Sequence, residues 1–317
     1  MAKNFWQLFS SVYPMNNISV EQNTEKQLQR LAAQRQLYTS AKKIFGLQLI
    51  IGGPVAIGMA LVVATFPAFK SYAAFWGMLV VFCDLIWLNP WQKRLREKAA
   101  KIQEIFDCDV LNLQWNTIKI GKKPDPELVQ EQAEKYRKRQ KNMPSLRNWY
   151  APVVDELPLH IGRLACQRSN CWWDSKQRRL YAIWIMAFVI LTIVAVFLFS
   201  LSKGFTIEDF ILKVAVLLVP CIVLGVRQFS EQNDAANRLD KLKEHSENIW
   251  KQALNAGLES EVSEMSRTLQ NEIYDNRSKS PLVFDIIFRK LRNKYEIQMN
   301  YGVAEYVAEA RSRLSKE

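Results

Sequence analysis

The chain has 317 residues, 49% of them hydrophobic, with 43 Lys and Arg against 31 Asp and Glu for a formal charge of +12. Its apolar residues are segregated into four blocks while the charge lies between them, which sets aside most soluble-enzyme classes. Basic flanks of membrane segments account for much of the positive excess, so no DNA or RNA partner is expected; an acidic lipid surface or an anionic ligand suits the charge.

Residues 1–43 are polar and charged and read as a cytoplasmic N-terminal helix. No short apolar region with a small-residue cleavage site precedes the first block, so that block is expected to be an uncleaved anchor. It spans 44–66, and a second block spans 71–88. Each approaches the ~20 residues that a helix needs to cross the ~30 Å hydrocarbon layer. The tiny 67–70 loop makes the pair a hairpin. Gly52-Gly53-Pro54, with Gly58 beyond, places small residues and a kink in the first helix, suited to close packing or to a gating hinge. Asp84 lies about one turn from the cytoplasmic end of the second helix. An intramembrane carboxylate is a candidate pore or gating group, although this one could also reach water or Lys93.

Residues 89–179 form a cytoplasmic helical region. Trp91, Leu95, Ala99, Ile102, Phe106 and Leu113 continue the second helix at three- to four-residue steps, with one longer gap. Asp125-Pro126-Glu127 starts another helix, since Asp suits the cap and Pro the first helical position. That helix is expected over 127–142, and its polar middle suggests a solvated or peripheral position. Met143-Pro144 ends it.

The densest motif is Cys166-Gln167-Arg168-Ser169-Asn170-Cys171-Trp172-Trp173-Asp174, followed by Ser175-Lys176-Gln177-Arg178-Arg179-Leu180-Tyr181. Arg forks bind phosphate, Trp faces stack on bases and amides read base edges, so Arg168, Asn170, Trp173, Asp174, Arg178, Arg179 and Tyr181 are candidate nucleotide ligands. The competing reading is an interfacial collar, with both Trp at the headgroups and both Arg on lipid phosphates. On residue chemistry alone the collar is the plainer of the two.

The third and fourth blocks span 180–200 and 210–226 and form a second hairpin. Pro220 is positioned to kink the fourth helix. Residues 227–317 form a cytoplasmic C-terminal helical region. There Ala235, Leu239, Leu242, Ser246, Ile249 and Ala253 alternate by four and three, a seam for an intramolecular bundle or for an oligomer. Dense basic runs lie at Lys42-Lys43, Lys93-Arg94-Leu95-Arg96, between Lys135 and Lys141, and at Arg178-Arg179. The positive-inside rule therefore puts both termini and the middle region in the cytoplasm of an inner-membrane, multi-pass protein.

The chain also repeats itself. Gln34-Arg35-Gln36-Leu37-Tyr38 precedes the first hairpin and Gln177-Arg178-Arg179-Leu180-Tyr181 the second. Glu104-Ile105-Phe106-Asp107 follows the first and Glu272-Ile273-Tyr274-Asp275 the second. The four matches fall in one order, as a duplicated unit would give. Interfacial Arg and Tyr explain the composition of the first pair, but not its order.

No catalytic constellation, phosphate loop or metal-ligand pattern is present, so the chain is read as non-enzymatic, with no cofactor and no metal. Four residues separate Cys166 from Cys171, wider than the usual zinc-knuckle pair, and no second pair follows, so buried thiols are the simpler reading. The expected fold class is all-α: an integral membrane protein with four transmembrane helices in two hairpins and cytoplasmic helical extensions.

Several segments resemble the prokaryotic SMODS-associated four-transmembrane effector family. They are Gln103-Glu104-Ile105-Phe106-Asp107 with Leu113-Gln114-Trp115-Asn116, Asn148-Trp149-Tyr150 with Pro152, the motif from Cys166 to Tyr181, and Leu269-Gln270-Asn271-Glu272-Ile273-Tyr274 with Arg277. Tyr150-Ala151-Pro152 departs from the expected adjacency of Tyr and Pro. The resemblance implies an antiviral membrane effector that responds to a cyclic oligonucleotide made by an associated nucleotidyltransferase, acting by pore formation or membrane disruption. Its partners would be the lipid bilayer and further copies of itself. A constitutive ion channel or small transporter, or a non-permeabilising scaffold, are the alternatives.

Overall fold

The computed structural model describes residues 16–140, 144–202, 204, 206–211, 216–255 and 258–314. Among these every regular element is helical. A short α1, Ile18–Glu21, leads into α2, Glu25–Ile50, which begins after Thr24 in an extended conformation. A π-turn at Ile51–Val55 passes α2 directly into α3, Ala56–Thr65. A 3-10 turn, Pro67–Phe69, then reverses the chain.

The outgoing helix mirrors this arrangement. It runs as α4, Lys70–Cys83, a π-turn at Asp84–Leu88, and α5, Asn89–Val110. Both π-turns have a proline cause. Pro54 sits inside the first, and Pro90 follows the second within reach of its carbonyls. A proline ring has no N–H and clashes with the carbonyl four residues back, and widening the turn relieves the clash. Gln48 donates to Asp84 Oδ1 at 2.6 Å, so the neighbouring helix holds the carboxylate. A Cβ added at Gly52, Gly53 or Gly58 would meet nothing within 4 Å. Among the described residues of one chain, those glycines are therefore not sites of close helix packing.

Beyond α5 come α6, Thr117–Ile120, and α7, Pro126–Arg137, then 3-10 turns at Pro144–Leu146 and Pro152–Glu156. Helix α7 is not peripheral as its polar middle suggested. Ala133 and Tyr136 are buried against α2, because the few apolar residues share one face. Helix α8, Leu159–Ser202, is one rod of 44 residues. At 1.5 Å per residue it is about 66 Å long, twice the hydrocarbon thickness, so it extends well beyond the apolar stretch it carries. After α9, Ile207–Phe210, the helix α10, Val216–Leu254, returns along it. Helices α11, Glu259–Lys279, and α12, Asp285–Leu314, close the fold.

Two regimes of burial separate along the rods. Below the membrane α2, α5, α7, α8, α10 and α11 enclose a core that includes Leu31, Ile102, Phe106, Tyr150, Leu164 and Ile249. In the spanning parts Phe75, Met78, Phe188 and Leu191 are 63–71% exposed, the arrangement lipid requires. Three described helices are long and apolar enough to cross a membrane: Glu25–Met59, Ser71–Val110 and Leu159–Ser202. The fourth block runs through 212–215, outside the described residues, as do Lys203, Lys213 and the side chain of Pro220.

The seam on α10 is an intramolecular one. Ala235, Leu239, Ser246 and Ile249 are buried, and Ser246 Oγ donates to the Leu164 carbonyl of α8. The repeat is reproduced in part. Both Gln-Arg-x-Leu-Tyr copies sit on incoming helices, α2 and α8. Glu104 lies on α5, the direct continuation of an outgoing helix, whereas Glu272 lies on the separate α11.

Candidate functional site

The two copies of Gln-Arg-x-Leu-Tyr meet at one cavity. It encloses about 200 Å³ beneath the spanning segments. Gln34, Arg35, Tyr38 and Lys42 reach it from α2, and Arg96 and Gln103 from α5. Asn170, Trp173, Asp174, Gln177 and Arg178 come from α8, and Asn276 and Arg277 from α11. A smaller recess shares Arg35, Trp149, Asn170 and Trp173 with it, so the two indole rings stand where the spaces adjoin.

Five cations line the cavity against two carboxylates, Asp174 and Asp285. Both carboxylates are engaged. Arg178 Nε donates to Asp174 at 3.0 Å, and Lys42 Nζ lies 2.5 Å from Asp285. Arg277 rests on a buried network. It donates to Asp107 at 2.9 Å and lies 3.9 Å from Glu104. Tyr150 donates to Asp107 at 2.7 Å, Gln270 donates to both carboxylates, and Arg267 pairs with Glu104 at 2.8 Å. Burial would lower the Arg277 pKa, but Asp107 and Glu104 outweigh it and raise the value, so the guanidinium keeps its charge. The Glu-Ile-aromatic-Asp segment on α5 is thus an arginine-pairing motif.

Three buried polar atoms of residues that line this cavity have no hydrogen-bond partner among the described residues: Arg96 Nε, Asn276 Nδ2 and Ser280 Oγ. Buried donors are nearly always satisfied, so three at one place mark it as a place for a polar guest.

A strap closes the cavity on the membrane side. Residues 280–284 join α11 to α12 without helical structure, and four helices grip them. Arg96 of α5 donates to the Ser280 carbonyl at 3.2 Å, and Arg178 of α8 to the Pro281 carbonyl at 2.8 Å. Gln232 of α10 donates to the Leu282 carbonyl at 3.0 Å, while Lys42 of α2 holds Asp285 just beyond. These four helices are continuous in the chain with the four apolar blocks or their flanks. Leu282 packs against Ala41 and Phe45, and Val283 against Tyr181. Phe284 stacks on Phe45 with centroids 5.3 Å apart.

Of the residues singled out from the sequence, Asn170, Trp173, Asp174 and Arg178 line the cavity. Arg168, Arg179 and Tyr181 stand elsewhere. Arg168 donates to Glu247 at 3.0 Å and lies over the Tyr306 ring. Arg179 pairs with Asp240, and Tyr181 meets Phe284 edge-on. A helix turns 100° per residue, so successive residues of a dense motif cannot share one face. Both tryptophans of the motif meet Tyr295 of α12 edge-on within the helical bundle. Asp84, Gly53 and Pro54 lie at the two π-turns, apart from this cavity.

Sequence reasoning missed Arg96, Trp149, Asn276 and Ser280. Trp149 follows Asn148, whose positive φ of 51° turns the chain so that Trp149 borders the cavity and Tyr150 enters the core. For Arg35 a signal did exist, its place in the repeated pentapeptide.

The family profile described as SMODS-associating 4TM effector domain matches residues 16–306. A protein of Bacillus cereus (strain VD146) named a probable CBASS effector molecule is 22% identical over 228 residues, covering 70% of this chain and 76% of that relative. No solved structure matches the chain.

Proposed function

From the premise that this chain belongs to the SMODS-associating 4TM effector family, we propose that it is a membrane effector of a CBASS-like antiviral system. In this reading a cyclic oligonucleotide, made by an associated nucleotidyltransferase, is sensed in the cytoplasm and triggers pore formation or membrane disruption. The protein sits in the inner membrane with both termini cytoplasmic, performs no catalysis, and works as a homo-oligomer. One chain offers few polar residues in its spans, so a water-filled path needs several copies.

The observation that carries this reading is the cation-rich, indole-flanked cavity bounded by a strap that all four spanning helices hold. Its chemistry is that of a phosphate-and-base ligand. At about 200 Å³ it is smaller than the ~300–1,000 Å³ typical of sites enclosing a drug-sized molecule. A whole cyclic oligonucleotide therefore fits only after the walls part. A ligand that binds the parted state better shifts the population toward it, and strap movement then reaches every spanning helix.

The test is dye release from liposomes carrying the purified protein, alone and with a panel of cyclic di- and trinucleotides. Release by one nucleotide supports a ligand-gated effector and names its trigger. Release without ligand supports a constitutive pore instead. No release with any of them counts against permeabilisation and favours a scaffold.

A further inference from the structure

The cavity has cationic walls throughout, but its unpartnered donors are confined to one corner. Asn276 and Ser280 are 5% and 1% exposed and are joined by a backbone hydrogen bond from Ser280 N to the Asn276 carbonyl at 2.8 Å. Arg96 reaches the same corner, where Nη1 donates to the Ser280 carbonyl and Nε is left over. The orientation of the Asn276 amide follows from its neighbour. Arg238 Nε lies 3.1 Å from Oδ1, and a guanidinium can only donate, so Oδ1 is the acceptor and the –NH₂ is the unpartnered group. The corner therefore offers a guanidinium N–H, an amide N–H and a hydroxyl. The carboxylates that line the cavity are already paired with Arg178 and Lys42.

We propose that Arg96, Asn276 and Ser280 form a phosphodiester-binding subsite. An oxyanion accepts several hydrogen bonds and prefers donors that carry or neighbour positive charge, and this corner supplies both. Its position under the membrane lets the phosphodiester come from a cyclic nucleotide or from a lipid headgroup. The nucleotide source rests on the function proposed above; the subsite itself does not. Because Ser280 belongs to the strap, an occupant bonded there touches the element that the four spanning helices share.

The experiment measures binding to the full-length protein in detergent by isothermal titration calorimetry, with cyclic di-AMP, cyclic GMP–AMP and cyclic tri-AMP as probes. A parallel arm measures the melting temperature in nanodiscs of phosphatidylcholine with and without phosphatidylglycerol. The key variant is Asn276→Asp, which keeps an acceptor for Arg238 but turns the donor into an anion. Ser280→Ala and Arg96→Gln are companions, and Arg179→Gln, outside the cavity, is the control. Circular dichroism and size exclusion establish that each variant folds. The expected result is a loss of about ten- to hundredfold in affinity for Asn276→Asp and about tenfold for Ser280→Ala, with Arg179→Gln unchanged. Wild-type affinity in Asn276→Asp and Ser280→Ala overturns the subsite and leaves the nucleotide reading standing. If no nucleotide binds, but phosphatidylglycerol stabilises the wild type and not Asn276→Asp, the subsite holds for lipid and the nucleotide reading falls. If neither probe acts on the wild type, both are overturned.

Discussion

Arg35 and Arg178 occupy the same place in two copies of a five-residue sequence, and they line one cavity. One lies on α2 and the other on α8, the two helices that carry the chain toward the membrane. A repeat that is only a textual coincidence in one dimension thus becomes two walls of a single chamber.

That relationship separates the arginines of the dense motif. Arg178→Gln is expected to abolish ligand-induced dye release, because it removes a cation from the cavity and a grip on the Pro281 carbonyl. Arg35→Gln is expected to raise the ligand concentration needed by at least about tenfold, as loss of a hydrogen bond to a charged group would. Arg168→Gln, which breaks a pair with Glu247, is expected to change stability while leaving the half-maximal ligand concentration near wild type. Dose–response curves of release for the three variants check this ordering.

The strap should act as a restraint. Leu282 is 5% exposed and packed against Ala41 and Phe45. Leu282→Ala should destabilise the closed arrangement by about 2–4 kcal/mol. The expected outcome is dye leakage without any nucleotide. A tight, ligand-dependent Leu282→Ala protein would show that the strap does not restrain the helices.

The buried carboxylate network should dominate folding of the helical bundle outside the apolar spans. Tyr150 is 1% exposed, stacks on Phe106 and donates to Asp107. Tyr150→Phe keeps the ring and removes one donor to a buried carboxylate. A loss of about 1–3 kcal/mol is expected, read as a lower melting temperature in detergent. Asp107→Asn should cost more, since it also leaves Arg277 short of a partner.

On α10 a Cβ at Gly225 would clash with Val189 Cγ2 of α8. Gly225→Ala is therefore expected to force α8 and α10 apart at this level and cost about 1–3 kcal/mol. Val189→Ala in the same chain should restore much of the loss. A double-mutant cycle on melting temperatures measures the coupling.

The acid limb of stability has an identifiable contributor. Burial would raise the Glu247 pKa, but Arg168 and Lys243 outweigh it and hold the value below the ordinary 4.5. A depressed folded-state value means that the carboxylate stabilises the fold above about pH 4.5 and loses that contribution as pH falls through the lower folded value. Both partners are partly exposed, so the amount is at most about 1 kcal/mol. Glu247→Gln should flatten the melting-temperature profile between pH 5 and 3 by that amount.

The cavity was legible only in pieces. Asn170, Trp173, Asp174 and Arg178 could be found because phosphate- and base-binding residue types crowd together there. Arg168 and Arg179 were equally good by type, and helical rotation alone turned them toward Glu247 and Asp240. Arg96 was visible as one of a basic run that reads as a topology signal. Asn276 and Ser280 carry no signal of their own, since small polar residues near a helix end are ordinary.

What the sequence determined by itself was the solvent of each segment. Blocks of apolar residues near twenty long have one stable place, as hydrogen-bonded helices in lipid, and periodicity below them specifies packed helices in water. The family, too, was readable from motifs in order. Only the tertiary structure decided which residues share a wall. Arg35, Arg96, Arg178 and Asn276 come from four helices far apart in sequence, and the strap beside them has no pattern at all. Periodicity reports the face of one helix; the angle and register at which that face meets another arise from packing many side chains at once.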